Sequence, residues 1–245
     1  MKNFKITIQY DGSAYNGWQK QGNTTNTIQE RFENVLCRMC NSKIEIFASG
    51  RTDAGVHAEN QVANFKCKTN MECEEVKKYL NKYLPKDIRV KKVEEVDERF
   101  HSRLNAVSKT YEYSIATEKP DVFSRKYVYS TDSVLDVEKM KFAADLFIGK
   151  HDFKGFSSVG RTKKSTIRTI NYINIVKKDG LIKIYVNGTG FLYNMVRIIS
   201  GTLLEIGEGK LDLETINEIF LEKDRKKAGK TLPACGLKLV EVNYL

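Results

Sequence analysis

The sequence predicts a mixed α/β protein made of two ferredoxin-like (RRM-like) halves that share a central antiparallel sheet flanked by helices. Three observations predict it. Residues 1–97 read strand, helix, strand, strand, helix, strand, which is the ferredoxin-like order. The rest of the chain repeats that order with longer insertions, although no sequence repeat is visible. The stretch Gly50–Ala58 lies between two strand-like runs, so one acid, one arginine and one histidine are displayed on a loop of a sheet. We place the boundary between residues 1–104 and 105–245, with Asp53 at the cleft between the halves.

Each element has a local reason. Phe4, Ile6, Ile8 and Tyr10 alternate with polar residues, the mark of a half-buried strand. Asp11-Gly12-Ser13 ends it. Trp18, the single tryptophan, follows in a loop, where it serves as a packing plug or stacks on a base. Thr27-Ile28-Gln29-Glu30 is a capping box. Ile28, Phe32, Val35, Leu36 and Met39 then form one helical stripe. Ile44 to Ser49 and Val62 to Cys67 read as buried strands on either side of the Asp53 loop. Val76, Tyr79, Leu80, Tyr83 and Leu84 share a helix face that Pro85 terminates. Ile88 to Val96 is a strand. The open face of such a sheet is a common RNA platform.

Phe100 to Ser108 is a polar bridge containing His101 and Arg103. Tyr111, Tyr113 and Ile115 alternate on a further strand. Asp136 caps a helix whose Met140, Ala144 and Phe147 point inward, and Gly149 closes it. Asn171 to Val176 and Leu181 to Val186 form a hairpin about Asp179-Gly180. Phe191 to Ile206 is apolar nearly all round and predicts a buried helix with Arg197 in its middle. Asp212 to Leu221 is a shorter helix, and Leu237 to Tyr244 a closing strand.

The chain has 245 residues, enough for real cores, and 41% are hydrophobic, which excludes disorder. Its 41 Lys and Arg outnumber 31 Asp and Glu, for a net charge of +10. That excess points to a polyanionic partner, nucleic acid or an anionic membrane. No apolar run approaches the roughly 18 residues of a spanning helix, so no membrane partner is expected. Strand alternation begins directly after Met1, which predicts no signal peptide and a cytoplasmic location. The five cysteines (Cys37, Cys40, Cys67, Cys73 and Cys235) are irregularly spaced, as reduced thiols are. Cys37-x-x-Cys40 lacks a second pair at zinc spacing, and His57, His101 and His151 are scattered, so no metal site is expected.

The chemistry concentrates at Gly50-Arg51-Thr52-Asp53-Ala54-Gly55-Val56-His57-Ala58. The glycines let the backbone turn and let a ligand come close. Arg51 favours the ionised form of Asp53, and an ionised carboxylate beside a cation is a candidate nucleophile. The same pattern also fits an Asx turn with a surface ion pair. Arg197 needs a partner inside an apolar helix, either backbone carbonyls or a buried carboxylate such as Asp53.

Taken together, the motifs resemble the tRNA pseudouridine synthase A (TruA-like) family. Gly50–Ala58 resembles its signature loop. Tyr10-Asp11-Gly12 through Gly17-Trp18-Gln19 resembles its opening. Lys109-Thr110-Tyr111-Glu112-Tyr113, Gly149-Lys150-His151-Asp152-Phe153, and Phe191 to Arg197 with Gly201 resemble three later motifs. Pro233-Ala234-Cys235-Gly236-Leu237 resembles the end. The motifs occur in order along the whole chain. The resemblance implies the pseudouridine synthase fold and isomerisation of uridine to pseudouridine in the anticodon stem-loop of tRNA, at positions 38, 39 and 40. It implies no cofactor and no metal, and a homodimer whose subunits share one tRNA.

The resemblance also implies roles. Asp53 is the catalytic aspartate, acting on ribose, on the base, or as a proton acceptor. The target base must leave the stack. Arg51 fills the space it vacates, Tyr111 stacks on the flipped uracil, Arg197 pairs with Asp53, and Leu237 lines the pocket. Basic segments Arg161 to Arg168 and Lys223 to Lys230 grip phosphates. Two positions depart from the pattern. Lys109 stands where many relatives have arginine, and Lys238 where an aromatic is common. Three alternatives stand beside this reading: a pseudouridine synthase for another RNA, a non-catalytic RNA-binding module, and a hydrolase using Asp53 with His57.

Overall fold

The computed structural model describes residues 1–160 and 163–245. The chain divides into two compact units, residues 1–107 with 238–245, and residues 108–237. Both are mixed α/β, with mostly antiparallel strands.

The first unit contains β1 (Lys2–Tyr10), α1 (Ile28–Cys40), β2 (Ile46–Ala48), β3 (His57–Cys67), α2 (Cys73–Tyr83) and β4 (Ile88–Val96). Their order in the sheet is β4-β1-β3-β2, all antiparallel, which is the ferredoxin-like arrangement. β10 (Leu237–Tyr244) adds a parallel pairing at the start of β3, Lys238 opposite His57 and Leu239 opposite Ala58. β1 occupies one edge of β3 along its length. The other edge is divided: β10 takes its beginning, and β2 takes Ala63 to Phe65.

Phe4, Ile6 and Ile8 of β1 are fully buried, as are Phe32 and Leu36 of α1 and Val76 and Leu80 of α2. Trp18 is buried too, its ring 6.2 Å from both Tyr10 and Phe32. It is a packing plug, and the base-stacking alternative falls away. Thr27 caps α1 by accepting from Glu30 N at 3.3 Å. The capping box is only half formed, because the Glu30 carboxylate meets Lys20 at 2.8 Å instead. The bridge after β4 is partly docked. Asn3 Nδ2 donates to the carbonyls of Asp97 and Phe100 at 2.9 Å, and Tyr244 OH to that of Ser102 at 2.8 Å. The opposite face of β1 is therefore not a bare platform: Lys5 lies over the rings of Phe100 and Tyr244.

The second unit contains β5 (Ala106–Ala116, which begins within the first), β6 (Tyr129–Ser130), α3 (Val137–Asp145), β7 (Gly149–Asp152), β8 (Ile167–Lys178), β9 (Leu181–Gly188), α4 (Met195–Gly207) and α5 (Glu214–Glu222). Its strands run β5-β9-β8-β7, with β6 beside β5. The β8–β9 turn is Asp179-Gly180, both at positive φ (50° and 71°), as a two-residue hairpin requires. Thr110 to Ala116 are buried on both faces, so the alternation of Tyr111 and Tyr113 does not mark an exposed side. Asp136 caps α3 through Lys139 N at 2.9 Å, but Gly149 opens β7 instead of closing the helix. The predicted helix from Phe191 begins only at Met195. Asn194 at φ 60° turns the chain there and puts Arg197 in the first turn, not the middle.

Candidate active site

The loop that carries Asp53 is fastened at both ends. β3 is longer than its apolar run suggests, so His57 and Ala58 are already strand. Ser49 N donates to Val62 O at 2.7 Å, and Ser49 Oγ to Gln61 Oε1 at 2.7 Å. Gln61, fully buried, returns a bond from Nε2 to Gly50 O at 3.0 Å. At the other end, Val56 N donates to Asp53 O at 3.1 Å, closing a turn with Gly55 at φ 78°.

The segment after β1 braces the middle. Trp18 N donates to Thr52 O at 3.0 Å, and Gly55 N to Tyr15 O at 3.3 Å. The hydroxyls of Tyr10 and Thr52 share a buried hydrogen bond of 2.7 Å. Burial pushes the Tyr10 phenol up to about 12, so it stays neutral. Two glycines make the approach possible. A Cβ on Gly17, which sits at φ 90°, would lie 2.7 Å from Thr52 O and 3.1 Å from Ala54 N. A Cβ on Gly12 would lie 2.0 Å from Val56 O. The opening motif is thus the physical support of the loop, and Gly12, Gly17, Tyr10 and Gln61 belong to the site's framework. The sequence signal was the clustering of Gly and aromatics in 10–18. Its target, forty residues on, was not visible.

Asp53 is half-buried. His57 is buried, and its Nδ1 accepts from Gly12 N at 3.1 Å while lying 3.1 Å from Asp11 Oδ1. Tied in this way to the turn after β1, His57 serves as a fastener of the loop, which weakens the hydrolase alternative. Arg51 is exposed and, among the described residues, forms no ion pair. It lines an open cleft of about 840 Å³ with Phe47, His101 and Arg103.

In the second unit, Tyr111 is buried on β5 opposite Val186, its ring edge-on to Phe191 at 5.1 Å. Arg197 donates from Nε to Leu232 O and from Nη1 to Asn194 Oδ1, both at 2.7 Å. Asn194, which sequence reasoning passed over, tolerates the left-handed turn and aims the guanidinium. Gly201 lets the chain after α5 come close: a Cβ there would lie 1.9 Å from Lys230 O. Leu237 is buried. Gly236 beside it leaves room for the Tyr113 ring, whose hydroxyl donates to Pro233 O at 2.8 Å.

The basic segments make contacts within the chain. Lys223 pairs with Asp152 at 2.8 Å, Lys227 with Glu222 at 2.7 Å, and Lys230 donates to Tyr129 OH at 3.0 Å. Lys223 and Lys227 are thus paired with carboxylates within the chain. Of Arg161 to Arg168, Arg161 and Thr162 lie outside the described residues. Arg168 donates to Ser165 O and Ile167 O. Lys238 pairs with Glu59 across β10 and β3 at 3.1 Å, a structural use for that departure. Among the described residues no group of three or more His, Cys, Asp or Glu could hold a metal ion, and no helix is long and apolar enough to cross a membrane.

The braced loop holds one carboxylate, Asp53, at a fixed position on a ferredoxin-like sheet. A family model described as tRNA pseudouridine synthase matches residues 6–105 and 143–245. The chain belongs to that family and is an isomerase. It is 46% identical over 245 residues to tRNA pseudouridine synthase A 2 of Bacillus cereus, covering all of both chains. The corresponding figures are 49% for tRNA pseudouridine synthase A 2 of Clostridium perfringens and 46% for tRNA pseudouridine synthase A of Clostridium kluyveri, again over all of both chains.

Proposed function

We propose that this protein converts uridine to pseudouridine at positions 38 to 40 of the tRNA anticodon stem-loop, in the cytoplasm, as a homodimer. The observation that carries the reading is the Asp53 loop itself, held by bonds from β1, β3 and the Trp18 segment in a chain whose full-length relatives are named tRNA pseudouridine synthase A. The net charge of +10 suits an RNA partner.

In the reaction the bond from ribose C1′ to uracil N1 breaks, with its electron pair going to the uracil. The ring turns, C5 bonds to C1′, the C5 hydrogen leaves as a proton and N1 gains one. Asp53 is the catalytic group, capturing an intermediate covalently or accepting that proton. Arg51 fills the stack that the flipped base leaves. Tyr111 stacks on the uracil, Leu237 lines its pocket, and Arg197 pairs with Asp53 to keep it ionised. Residues 1–104 supply the catalytic loop, and residues 105–245 supply further tRNA-binding surface.

The test is tritium release from unmodified tRNA labelled at uracil C5. Wild type releases it. Asp53→Asn releases none and still binds tRNA, because phosphate contacts supply most of the affinity. Turnover by Asp53→Asn or Asp53→Ala sinks the assignment of Asp53.

A further inference from the structure

We propose that the cleft beside Arg51 is a subsite for an RNA nucleotide next to the reacting uridine. Its base rests on the Phe47–His101 ring pair, and its phosphates on Lys43, Arg51 and Arg103. The inference rests on the RNA-acting function above and adds Lys43, Phe47, His101 and Arg103, which lie outside the family's motifs, to Arg51 of the signature loop.

Four observations carry it. First, position: the cleft is lined by Gly50 and Arg51, so it opens two residues from Asp53 on the same loop. Second, size: about 840 Å³ lies within the roughly 300–1,000 Å³ of small-molecule sites. Third, charge: Lys20, Lys43, Arg51 and Arg103 face it against Glu33 and Glu45. Lys20 is already held by Glu30 and Glu33 at 2.8 and 3.5 Å. Among the described residues Lys43, Arg51 and Arg103 have no ion pair and no side-chain hydrogen bond, which leaves three exposed cations facing the Glu45 carboxylate. Three exposed cations converging on one concavity fit a chain of phosphates.

Fourth, the rings. Phe47 was expected on a buried strand, yet it is 41% exposed on β2. Its ring lies 5.1 Å from that of His101. His101 is fixed from behind, its Nδ1 accepting from Arg103 N at 3.1 Å and its backbone N donating to Asn105 Oδ1 at 2.7 Å. An exposed aromatic beside a second, anchored ring is a stacking platform, and stacking is tolerant of base identity.

The experiment measures binding of a labelled anticodon stem-loop. Phe47→Ala weakens it on the order of 5- to 100-fold, and Phe47→Tyr retains it. Stem-loops lacking one base at a time next to the target uridine identify the coupled position. There, base removal weakens wild type but costs Phe47→Ala almost nothing. Lys43→Ala and Arg103→Ala each reduce the salt slope of log Kd by about one. The subsite is refuted if Phe47→Ala binds like wild type, or if base removal costs both proteins equally at every position. Tritium release is scored separately: a wild type that shows the coupling but releases no tritium refutes the proposed reaction and leaves the subsite standing.

Discussion

Gly17→Ala reaches the Asp53 loop without touching the Asp53 side chain. The added Cβ would sit 2.7 Å from Thr52 O, closer than the 3.0 Å that real Cβ atoms keep, and the φ of 90° is one that alanine avoids. The obstacle is backbone, so no side chain can swing away. Thr52 O must retreat by at least about 0.3 Å, and that oxygen also accepts the 3.0 Å bond from Trp18 N. The left-handed conformation costs about 1–2 kcal/mol and the overpacking about 1–3 kcal/mol. Together, at about 2–5 kcal/mol, they lower Tm by about 4–20 °C in a chain of this length. A misplacement of about 1 Å can cost 100-fold in rate, so a shift of a few tenths next to Asp53 predicts a loss of about 3- to 30-fold. Single-turnover tritium release and thermal melts measure both. Gly22→Ala is the control, since a Cβ there meets nothing within 4 Å. Wild-type rate and Tm for Gly17→Ala would refute the bracing argument, as would an equal loss for Gly22→Ala.

Three further outcomes are expected. Tyr10→Phe strands the buried Thr52 hydroxyl that now bonds at 2.7 Å, costing about 1–3 kcal/mol by denaturant titration. Asn194→Ala loses the tolerated φ of 60° together with the acceptor for Arg197 Nη1 and the donor to Ser158 Oγ, whereas Asn194→Gly loses only these two side-chain bonds. Single-turnover rates fall for both, and the melting temperature falls more for Ala than for Gly. Burial alone would raise the Asp152 carboxyl, but the Lys223 ammonium and the Thr166 hydroxyl outweigh it and hold it below the usual 3.8. A depressed folded pKa gives stability that is present above the unfolded value and lost as pH falls through the folded one. Asp152→Asn therefore melts below wild type at neutral pH, and the gap closes in acid below about 3.8; a gap unchanged at pH 2 to 3 would contradict this.

What could be read in advance was what local pattern encodes. β4 and β10 fall on their predicted residues because period-two alternation and Pro85 bound them. The Asp179-Gly180 turn carries its own chemistry. The start of α4 was misplaced because apolar residues continue backward through Phe191 and Leu192, while the left-handed turn at Asn194 depends on its bonds to Ser158 and Arg197. β3 was read short because His57 and Glu59 to Gln61 interrupt the apolar run for long-range reasons: His57 ties to Gly12, Asn60 to Val240 O, and Gln61 to Gly50. Phe47 looked like core because its neighbours are apolar. The Asp53 loop was legible through resemblance, but its supports at Gly12 and Gly17 act on residues forty positions away.

The divided edge of β3 has a consequence for biogenesis. The strand that continues the Asp53 loop pairs at its first two residues with Lys238 and Leu239. On the ribosome, β1 to β4 can assemble as soon as they emerge, but the edge at His57 and Ala58 stays open until all of Ser108–Leu237 has been synthesised. A nascent chain that has assembled β1 to β4 therefore still lacks this pairing at the start of β3.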